Sequence, residues 1–229
     1  MVLQKYCASG NDFLIFHSFK KEDRAELAKK VCDRHFGFGA DGLIALIPHS
    51  TLDYEWDFYN SDGSYAAMCG NGTRACAMYA YDNGLGGKNQ KILTGAGEIS
   101  TEIFAGGDVE TAMTKPAVIK DRFDEEGFSW IIIDTGVPHL VAETEHGFFD
   151  NSLATRMRHK YNANVNFFSG KDGVLHVRTF ERGVEGETLA CGSGMSACGY
   201  SIAEKNGVLQ TFDVRPKSGE KITIKVLDE

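Results

Sequence analysis

Two cysteines stand at equivalent positions in two copies of one short motif. The copies are MCGNGTRAC at 68–76 and ACGSGMSAC at 190–198, which separates Cys69 from Cys191 by 122 positions (191 − 69 = 122). In both copies the cysteine precedes a glycine, a polar residue and a second glycine, a pattern typical of a loop that enters a helix. Amide N–H groups and the positive end of the helix dipole stabilise anions there, including a thiolate. Together the two motifs suit one carboxylate-bearing substrate.

The chemistry available to such a pair is inversion of a carbon centre. Inversion needs a base on one face of the carbon and an acid on the opposite face, and one side chain cannot serve both. A cysteine at a helix N-terminus, with a pKa lowered from ~8.5 toward ~3.5–7.5, populates thiolate and thiol near neutral pH. We expect one cysteine to remove an α-proton while the other delivers one. Burial in a core is the commoner fate of cysteine, and we expect it for Cys76 and Cys198.

The repeat predicts an internal duplication in which each half supplies sheet strands and one helix headed by a cysteine. The alternative is that five identities over eight positions arose by chance in a glycine-rich chain. We place the boundary so that residues 1–115 hold the first motif and residues 116–229 hold the second. Pro116 follows a strand-like segment at 109–113, and a polar stretch of little periodicity at 120–127 lies beyond it.

Short strand-like runs separated by glycine-containing turns predict curved sheets. Such runs lie at 2–7, 13–17, 43–47, 54–59, 129–133 and 174–180, and a further alternating segment lies at 221–229. Helical periodicity appears after residue 21 and again behind each cysteine motif. The stripe that indicates the first helix consists of Leu27, Ala28, Val31, Cys32 and His35. Gly207 is expected to end the helix behind the second motif.

The composition argues against several classes of protein. A net charge of −8 and a pI of about 5.4 argue against binding to nucleic acid or to an anionic membrane surface. The sequence has no run of roughly 18 apolar residues, so we expect no membrane-spanning helix and no targeting segment. The six cysteines are even in number, but a disulfide scaffold is mainly a device of shorter secreted chains. We therefore expect a soluble, cytoplasmic protein with reduced thiols.

Seven short segments of the chain together carry a resemblance to a known family. They are SGNDF at 9–13, GADG at 39–42, FYNSDGS at 58–64, CGNGTRA at 69–75, GVPH at 136–139, NANVNF at 162–167 and ERGVEGETLACGSG at 181–194. In these segments and their order the chain resembles the diaminopimelate epimerases, which are grouped with the proline racemases and the phenazine-biosynthesis isomerase-like proteins. The resemblance implies an α+β fold of two pseudo-symmetric domains, each a curved mixed β-sheet or barrel wrapped around a central helix. It also implies a substrate cleft between the domains, a homodimer, and no metal, pyridoxal phosphate or other cofactor.

The resemblance further implies an activity and a set of site residues. The activity is conversion of LL-2,6-diaminopimelate to the meso isomer, which serves lysine and peptidoglycan precursor synthesis. The residues matched to the two acid–base cysteines, one on each side of the α-carbon, are Cys69 and Cys191. Those matched to binding of the α-carboxylate are Gly70, Asn71, Gly192 and Ser193. Those matched to other substrate contacts are Asn11, Asn60, Asn164, Glu181 and Arg182. Those matched to control of the cysteines' protonation are His139 and Glu181.

Local sequence alone leaves simpler interpretations open for several of these residues. Asn11 and Asn60 are ordinary turn formers beside glycine or serine, and residues 181–183 suit a solvated turn at the end of a strand. His139 is able to accept a thiol proton when neutral, although a lone histidine after a strand is more often structural. The other histidines have no metal-ligand spacing with the cysteines, so we expect no zinc site.

The sequence departs from the family at two places. Val137 stands where the family usually has an asparagine that touches the distal end of the substrate, and valine cannot make that hydrogen bond. The segment 221–229 ends where family members commonly continue, so we expect a shortened chain with an unpaired sheet edge.

Two alternative functions stay open. One is a racemase of the same fold that acts on another amino acid. The other is a thiol-redox protein that cycles through a disulfide, which no C-x-x-C motif supports. The sequence leaves undecided which cysteine is the resting thiolate and which thiol His139 or Glu181 serves.

Overall fold

The structure is a computed structural model that describes residues 1–227, and the chain divides between Ala112 and Met113 into two units. The first unit contains β1 (Gln4–Ala8), β2 (Asn11–His17), α1 (Ala25–Cys32), β3 (Gly42–Ile47), β4 (Tyr54–Asn60), α2 (Gly70–Asp82), β5 (Asn89–Thr94), β6 (Gly97–Ile103) and β7 (Val109–Thr111). The second contains β8 (Ala117–Glu125), β9 (Phe128–Asp134), β10 (Pro138–Glu143), α3 (Asn151–Tyr161), β11 (Asn164–Lys171), β12 (Val174–Glu181), β13 (Gly186–Glu187), α4 (Gly192–Asn206), β14 (Thr211–Arg215) and β15 (Ile222–Lys225).

In the first unit, one sheet curves around one helix. The strand order is β1-β2-β3-β4-β5-β6-β7, with β2–β3 and β4–β5 parallel and the other neighbours antiparallel. A parallel pair needs a crossover connection, and α1 and α2 supply the two crossovers. α2 contacts β1 and β2 near one edge of the sheet and β6 and β7 at the other edge. Both edges therefore approach the same helix.

The second unit repeats this arrangement. Its sheet has the order β15-β14-β12-β11-β10-β9-β8, and β13 pairs with β12 off this path. The parallel pairs are β10–β11 and β12–β14, and α3 and α4 make the crossovers. From β9 to β15, antiparallel and parallel pairs alternate in the same order as they do from β1 to β6. The inner helix α4 contacts β9, β10 and β15. The predicted duplication and the curved sheets are confirmed.

Each sheet has a helix on both faces. In β3, Ile44 belongs to the core that contains α2, whereas the neighbouring Leu43 belongs to the core that contains α1. All six residues of β3 are buried because both faces are covered. In β9, Ile131 packs with α4 and Trp130 packs with α3, since successive strand residues point to opposite faces. Each unit therefore has an outer helix in addition to the inner one. The stripe from Leu27 to His35 predicted α1, whereas α3 was not predicted.

Several local predictions are confirmed. Each of the six strand-like runs overlaps an observed strand. Cys76 and Cys198 lie in the two inner cores, and burial raises the pKa of each thiol. Gly207 ends α4 with a φ of 65°, a left-handed conformation that glycine adopts without a steric penalty.

The predicted extent of the first helix was wrong at His35. α1 ends at Cys32, and His35 lies in an exposed turn. The carboxylate of Asp33 accepts hydrogen bonds from the backbone N–H groups of His35 and Phe36, each at 2.7 Å. A side chain that binds the following amides in this way competes with continuation of the helix.

The polar stretch at 120–127 is mostly strand rather than irregular chain, because β8 extends to Glu125. Its side chains are largely exposed at the edge of the sheet, so it lacks the alternation that identifies a half-buried strand. α3 was not predicted for a similar reason, since its buried residues are few and the rest are polar. The strand expected at 221–229 is observed only as β15, and residues 228 and 229 lie outside the described residues.

A buried ion pair provides a test of the first core. Arg24 Nη1 donates to Asp57 Oδ2 at 2.9 Å, and the two side chains are 3% and 4% exposed. Asp57→Ala leaves the guanidinium buried without this counter-ion, and we expect the free energy of unfolding to fall by about 3–5 kcal/mol in denaturant titrations. Glu26→Ala, which breaks an exposed pair with Lys29, is the control and should leave the midpoint unchanged. Equal midpoints for both variants would contradict the expectation.

Candidate functional site

Cys69 occupies the N-cap position of α2. Its backbone is extended, with φ −154° and ψ 115°, and its Sγ accepts a hydrogen bond from Gly72 N at 3.4 Å. The motif predicted this placement from sequence. The helix N-terminus and an amide donor both favour negative charge on a sulfur at this position.

A chain of side-chain amides leads away from Cys69. Its Sγ lies 3.7 Å from Asn11 Oδ1, which also accepts from Asn71 Nδ2 at 3.4 Å. Asn11 Nδ2 donates to Asp41 Oδ2 at 2.6 Å, and Arg74 Nη2 donates to Asn71 Oδ1 at 2.7 Å. The structure therefore brings three predicted site residues of the first unit together, with a carboxylate at one end and a guanidinium at the other.

Ion pairs support the carboxylate end of this chain. Arg34 Nη2 contacts Asp41 Oδ1 at 2.8 Å and Asp12 Oδ1 at 2.7 Å, and Lys5 Nζ contacts Asp12 Oδ2 at 2.8 Å. Burial acts to raise the pKa of Asp12, but hydrogen bonds and charge from Arg34 and Lys5 hold it well below its usual range. Both carboxylates are thus fixed in place beside the start of β2.

Asn60 lies at the end of β4, in a tight turn. Its Nδ2 donates to Ser64 Oγ at 3.0 Å, and the backbone N–H of Ser61 donates to Asp41 O at 2.9 Å. The turn interpretation of Asn60 is therefore correct locally. The same turn contacts the loop that carries Asp41, so Asn60 is near the amide chain without belonging to it.

Cys191 occupies the N-cap position of α4, equivalent to Cys69 in the first unit. It is 9% exposed, and its Sγ lies 3.5 Å from Ser193 Oγ. Ser193 Oγ in turn lies 2.9 Å from His139 Nε2, and Thr135 Oγ1 donates to Ser193 O at 2.9 Å. The hydroxyl of Ser193 therefore bridges the thiol and the imidazole.

His139 is completely buried at the start of β10, and burial lowers its pKa to about 3. Its Nδ1 lies 3.0 Å from Asn166 Nδ2, which also donates to Leu140 O at 3.2 Å. Thr179 Oγ1 donates to Asn166 Oδ1 at 2.9 Å. The imidazole is therefore neutral near physiological pH and is held by an amide whose own orientation is fixed on both sides.

The other predicted residues of the second unit surround this group. Asn164 Oδ1 accepts from Arg182 N at 2.8 Å, while Asn164 Nδ2 lies 3.5 Å from His139 Nε2. Arg182 Nη1 donates to the carbonyl of Asn162 at 3.0 Å. Glu181, at the end of β12, accepts from Thr188 Oγ1 at 2.5 Å. These residues form one cluster of strand ends beside the start of α4.

The sequence interpretation missed the residues that orient this machinery. Asp41 was passed over although it lies in the GADG segment, and Arg74 lies three residues after Asn71 on one helix face. Asn166 lies two residues after Asn164 and so on the same face of β11. Helical spacing and strand alternation were signals that could have identified the last two.

The part of the chain that the structure describes contains neither a cluster of metal-ligating side chains nor a membrane-spanning helix. Among residues 1–227, no three His, Cys, Asp or Glu side chains are grouped so as to hold a metal ion. No helix in that range is long and apolar enough to cross a membrane.

Comparison with known proteins identifies the family. The sequence model of the diaminopimelate epimerase family matches residues 3–119. A diaminopimelate epimerase of Nitratiruptor sp. is 52% identical over 100% of this chain and 92% of its own length. The chain belongs to the diaminopimelate epimerase family. A diaminopimelate epimerase of Helicobacter pylori is 42% identical to this chain, over 100% of this chain and 90% of its own length. The protein is therefore an isomerase, as the motifs predicted.

Solved structures of distant proteins have the same fold. A phenazine biosynthesis protein of the PhzF family from Bacillus anthracis superposes on this chain with a TM-score of 0.73 and 14% sequence identity. The match covers 96% of this chain and 87% of the Bacillus anthracis chain. A hydroxyproline epimerase from Agrobacterium vitis covers 97% of this chain with 83% of its own, at a TM-score of 0.71 and 15% identity. The predicted diaminopimelate epimerase-like fold is confirmed.

A glycine in α4 provides a test of the second cluster. A Cβ at residue 194 would lie 2.3 Å from Asn166 Oδ1, whereas a Cβ at residue 170 in β11 would meet nothing within 4 Å. Gly194→Ala must displace Asn166, and we expect a loss of about 1–3 kcal/mol in the free energy of unfolding. Gly170→Ala is the matched control and should have a much smaller effect. A similar midpoint for both variants in thermal unfolding would show that Asn166 moves at no cost.

Proposed function

We propose that the protein converts LL-2,6-diaminopimelate to meso-2,6-diaminopimelate without a cofactor. The observation that carries the proposal is the equivalent placement of Cys69 and Cys191, each at the N-cap of the inner helix of its unit. Family membership and the names of the relatives support the substrate. The product serves lysine and peptidoglycan precursor synthesis.

The proposed reaction uses the two cysteines as one acid and one base. The thiolate of one cysteine removes the proton from an α-carbon, which leaves a thiol and a carbanion. The thiol of the other cysteine then donates its proton to the opposite face of that carbon and becomes the thiolate. The configuration at one carbon is inverted and the protons balance. In the reverse direction the cysteines exchange roles.

We propose that the first turns of the two inner helices stabilise the carbanion. Positioned acids and bases usually contribute about 10²- to 10⁴-fold in rate, which is too little for a weak carbon acid. Charge from the carbanion spreads onto the α-carboxylate, where amide donors act most strongly. We assign this role to the first turns of α2 and α4, which contain Gly70 with Asn71 and Gly192 with Ser193.

The distal end of the substrate is proposed to be held by polar side chains. The fork of donors on Arg182 suits the distal carboxylate, and Asn11, Asn60 and Asn164 suit the remaining polar atoms. Val137 removes one hydrogen bond that the family usually makes there. A racemase of another amino acid is therefore the second candidate.

The assembly and location of the protein are also proposed from the resemblance. We propose that the protein is a homodimer and that it is located in the cytoplasm, where thiols stay reduced. Light scattering coupled to size exclusion measures the molar mass in solution. A mass of one chain at micromolar concentration would count against the dimer.

The reaction is tested by proton NMR in D₂O. Reduced protein is incubated with LL-diaminopimelate, and loss of the α-proton signal is followed together with formation of the meso isomer. We expect both to occur at the same rate at early times. Folded, reduced protein that gives neither exchange nor inversion would overturn the proposed substrate.

The two-cysteine scheme is tested by single substitutions. Cys69→Ser and Cys191→Ser should each lower kcat/KM for inversion by at least about 10²-fold, because a hydroxyl is a far weaker acid than a thiol. Cys7→Ser, at an exposed cysteine in β1, is the control and should retain full activity. Full inversion by both active-site variants would refute the scheme.

The distal contact is tested with a shortened substrate and a conservative variant. L-Lysine is diaminopimelate without the distal carboxylate, and we expect no exchange of its α-proton in D₂O. Arg182→Lys removes the bidentate fork and should raise KM for diaminopimelate by about tenfold or more. Arg156→Lys, at an exposed position in α3, is the matched control. Exchange of lysine at a comparable rate would favour the racemase candidate.

A further inference from the structure

The turn at 182–185 connects β12 to β13 and carries Arg182. The backbone N–H of Glu185 donates to the carbonyl of Glu181 at 2.8 Å, and the backbone N–H of Gly183 donates to Glu185 Oε1 at 3.0 Å. Glu185 has a φ of 55°, a left-handed conformation that is unfavourable for a residue with a side chain. Such a conformation persists only where neighbouring contacts hold it. The turn therefore depends on support from outside itself.

The outer helix α3 supplies that support through an ion pair. Arg158 Nη2 lies 2.6 Å from Glu185 Oε1, the same oxygen that accepts from the Gly183 N–H. The side chains of Arg158 and Glu185 are 16% and 41% exposed, so the guanidinium end of the pair is largely shielded from water. The hydrogen bond from Gly183 and the charge of Arg158 lower the pKa of Glu185, which keeps its carboxylate ionised near neutral pH. One carboxylate oxygen thus joins α3 to the backbone directly after Arg182.

The C-terminal end of α3 also contacts Arg182 itself. Arg182 Nη1 donates at 3.0 Å to the carbonyl of Asn162, which is the C-cap residue of α3. The backbone N–H of Arg182 donates to Asn164 Oδ1 at 2.8 Å. The bond to Asn162 uses one of the five N–H groups of the guanidinium, so a fork of two others can still bind a carboxylate. The outer helix therefore holds the guanidinium at one point and the turn behind it at another.

We propose that Arg158 is a positioning residue for the distal carboxylate of the substrate, because its ion pair with Glu185 holds the turn at 182–185 and so orients the guanidinium of Arg182 before substrate binds. The inference rests on the proposed function and extends it from residues that touch diaminopimelate to the outer helix. Orientation in advance reduces the entropy that is lost on binding. Arg158 itself acts only through Glu185 and Arg182.

The contacts of Arg158 favour a positioning role over a purely structural one. Its Nε is buried without a hydrogen-bond partner among residues 1–227, and an unpaired buried N–H lowers stability. Its Nη2 contacts a turn residue rather than the core of the unit. The cost of burying this arginine is therefore not repaid by core packing, whereas its ion pair reaches the turn that carries Arg182.

The same helix contains a matched control. Arg156 Nη2 lies 3.0 Å from the carboxylate of Glu126, in the turn between β8 and β9. Glu126 has a φ of 52°, so it is left-handed as Glu185 is. The two arginines thus make similar ion pairs with strained glutamates in different turns. Only the ion pair of Arg158 supports a turn with a proposed substrate contact.

The first test measures the order of the turn without substrate. Arg158→Met removes the charge and keeps an unbranched side chain, and amide hydrogen exchange is followed by mass spectrometry in peptides that cover 182–187. We expect exchange there to become at least about threefold faster, because the acceptor of the Gly183 N–H is no longer fixed. Arg156→Met should leave exchange at 182–187 unchanged.

The second test separates KM from kcat. Arg158→Met should raise KM for LL-diaminopimelate by about threefold to tenfold with little change in kcat, because the distal carboxylate is bound equally in the ground state and the transition state. Arg158→Lys keeps the positive charge and should restore most of the affinity, since Nε makes no hydrogen bond that lysine would lose. Arg156→Met should leave KM unchanged.

A double substitution shows whether Arg158 acts through Arg182. In the Arg182→Lys protein the fork of donors is already lost, so adding Arg158→Met should raise KM no further. A purely structural role would instead lower kcat/KM by the same factor in both backgrounds, together with the midpoint of thermal unfolding. Circular dichroism of each variant confirms folding before the kinetics are measured.

The outcomes distinguish this inference from the proposed function. Unchanged exchange at 182–187 in the Arg158→Met protein would overturn the role of the ion pair. Faster exchange with an unchanged KM, or an equal rise in KM in the Arg182→Lys background, would overturn the positioning of Arg182. Hydrogen exchange requires no turnover, so failure of the unsubstituted protein to invert diaminopimelate would count against the proposed function while the exchange result still decides whether Arg158 orders the turn.

Discussion

The start of a helix enclosed by a curved sheet is the feature on which the candidate site depends. α2 and α4 each cross between parallel strands, and each contacts strands near both edges of its sheet. Packing inside the sheet fixes the helix axis, so the N-cap residue is fixed as well. Cys69 and Cys191 are therefore held by the core of each unit rather than by a mobile loop. The outer helices α1 and α3 bury the other face, which leaves neither sheet free to flatten.

The second level of organisation is the direction of the amide groups around each sulfur. An asparagine side chain presents either a donor or an acceptor, and rotation of the amide exchanges the two. In each unit the choice is imposed by groups that have only one polarity, namely Arg74 and Asp41 in the first and the carbonyl of Leu140 in the second. Two scaffolds of the same topology therefore surround their cysteines with different hydrogen-bonding patterns. Topology provides the common placement, and a few polar side chains provide the chemical difference.

The sequence predicted the parts of the structure that depend on local pattern or on family motifs. The helix starts, the inner cores around Cys76 and Cys198, and the end of α4 follow from residues close together in the chain. α3 and β8 were missed because their exposed polar residues obscure the periodicity on which such predictions depend. The bridge from His139 to Ser193 spans 54 positions, and only the fold brings its two ends together. The motifs identified most of the participants, but they carried no information on polarity.

The contact between α4 and β11 also constrains how this sequence can vary. Gly194 leaves room for the carbonyl oxygen of Asn166, which any side chain at residue 194 would displace. A larger residue at 194 is compatible with the fold only if residue 166 is shorter or turned away, and then His139 loses the partner that orients its ring. Positions 139, 166 and 194 should therefore covary as one unit among related sequences. The glycine has no side chain, yet it would then be inherited together with the ring orientation of a histidine 55 residues earlier (194 − 139 = 55).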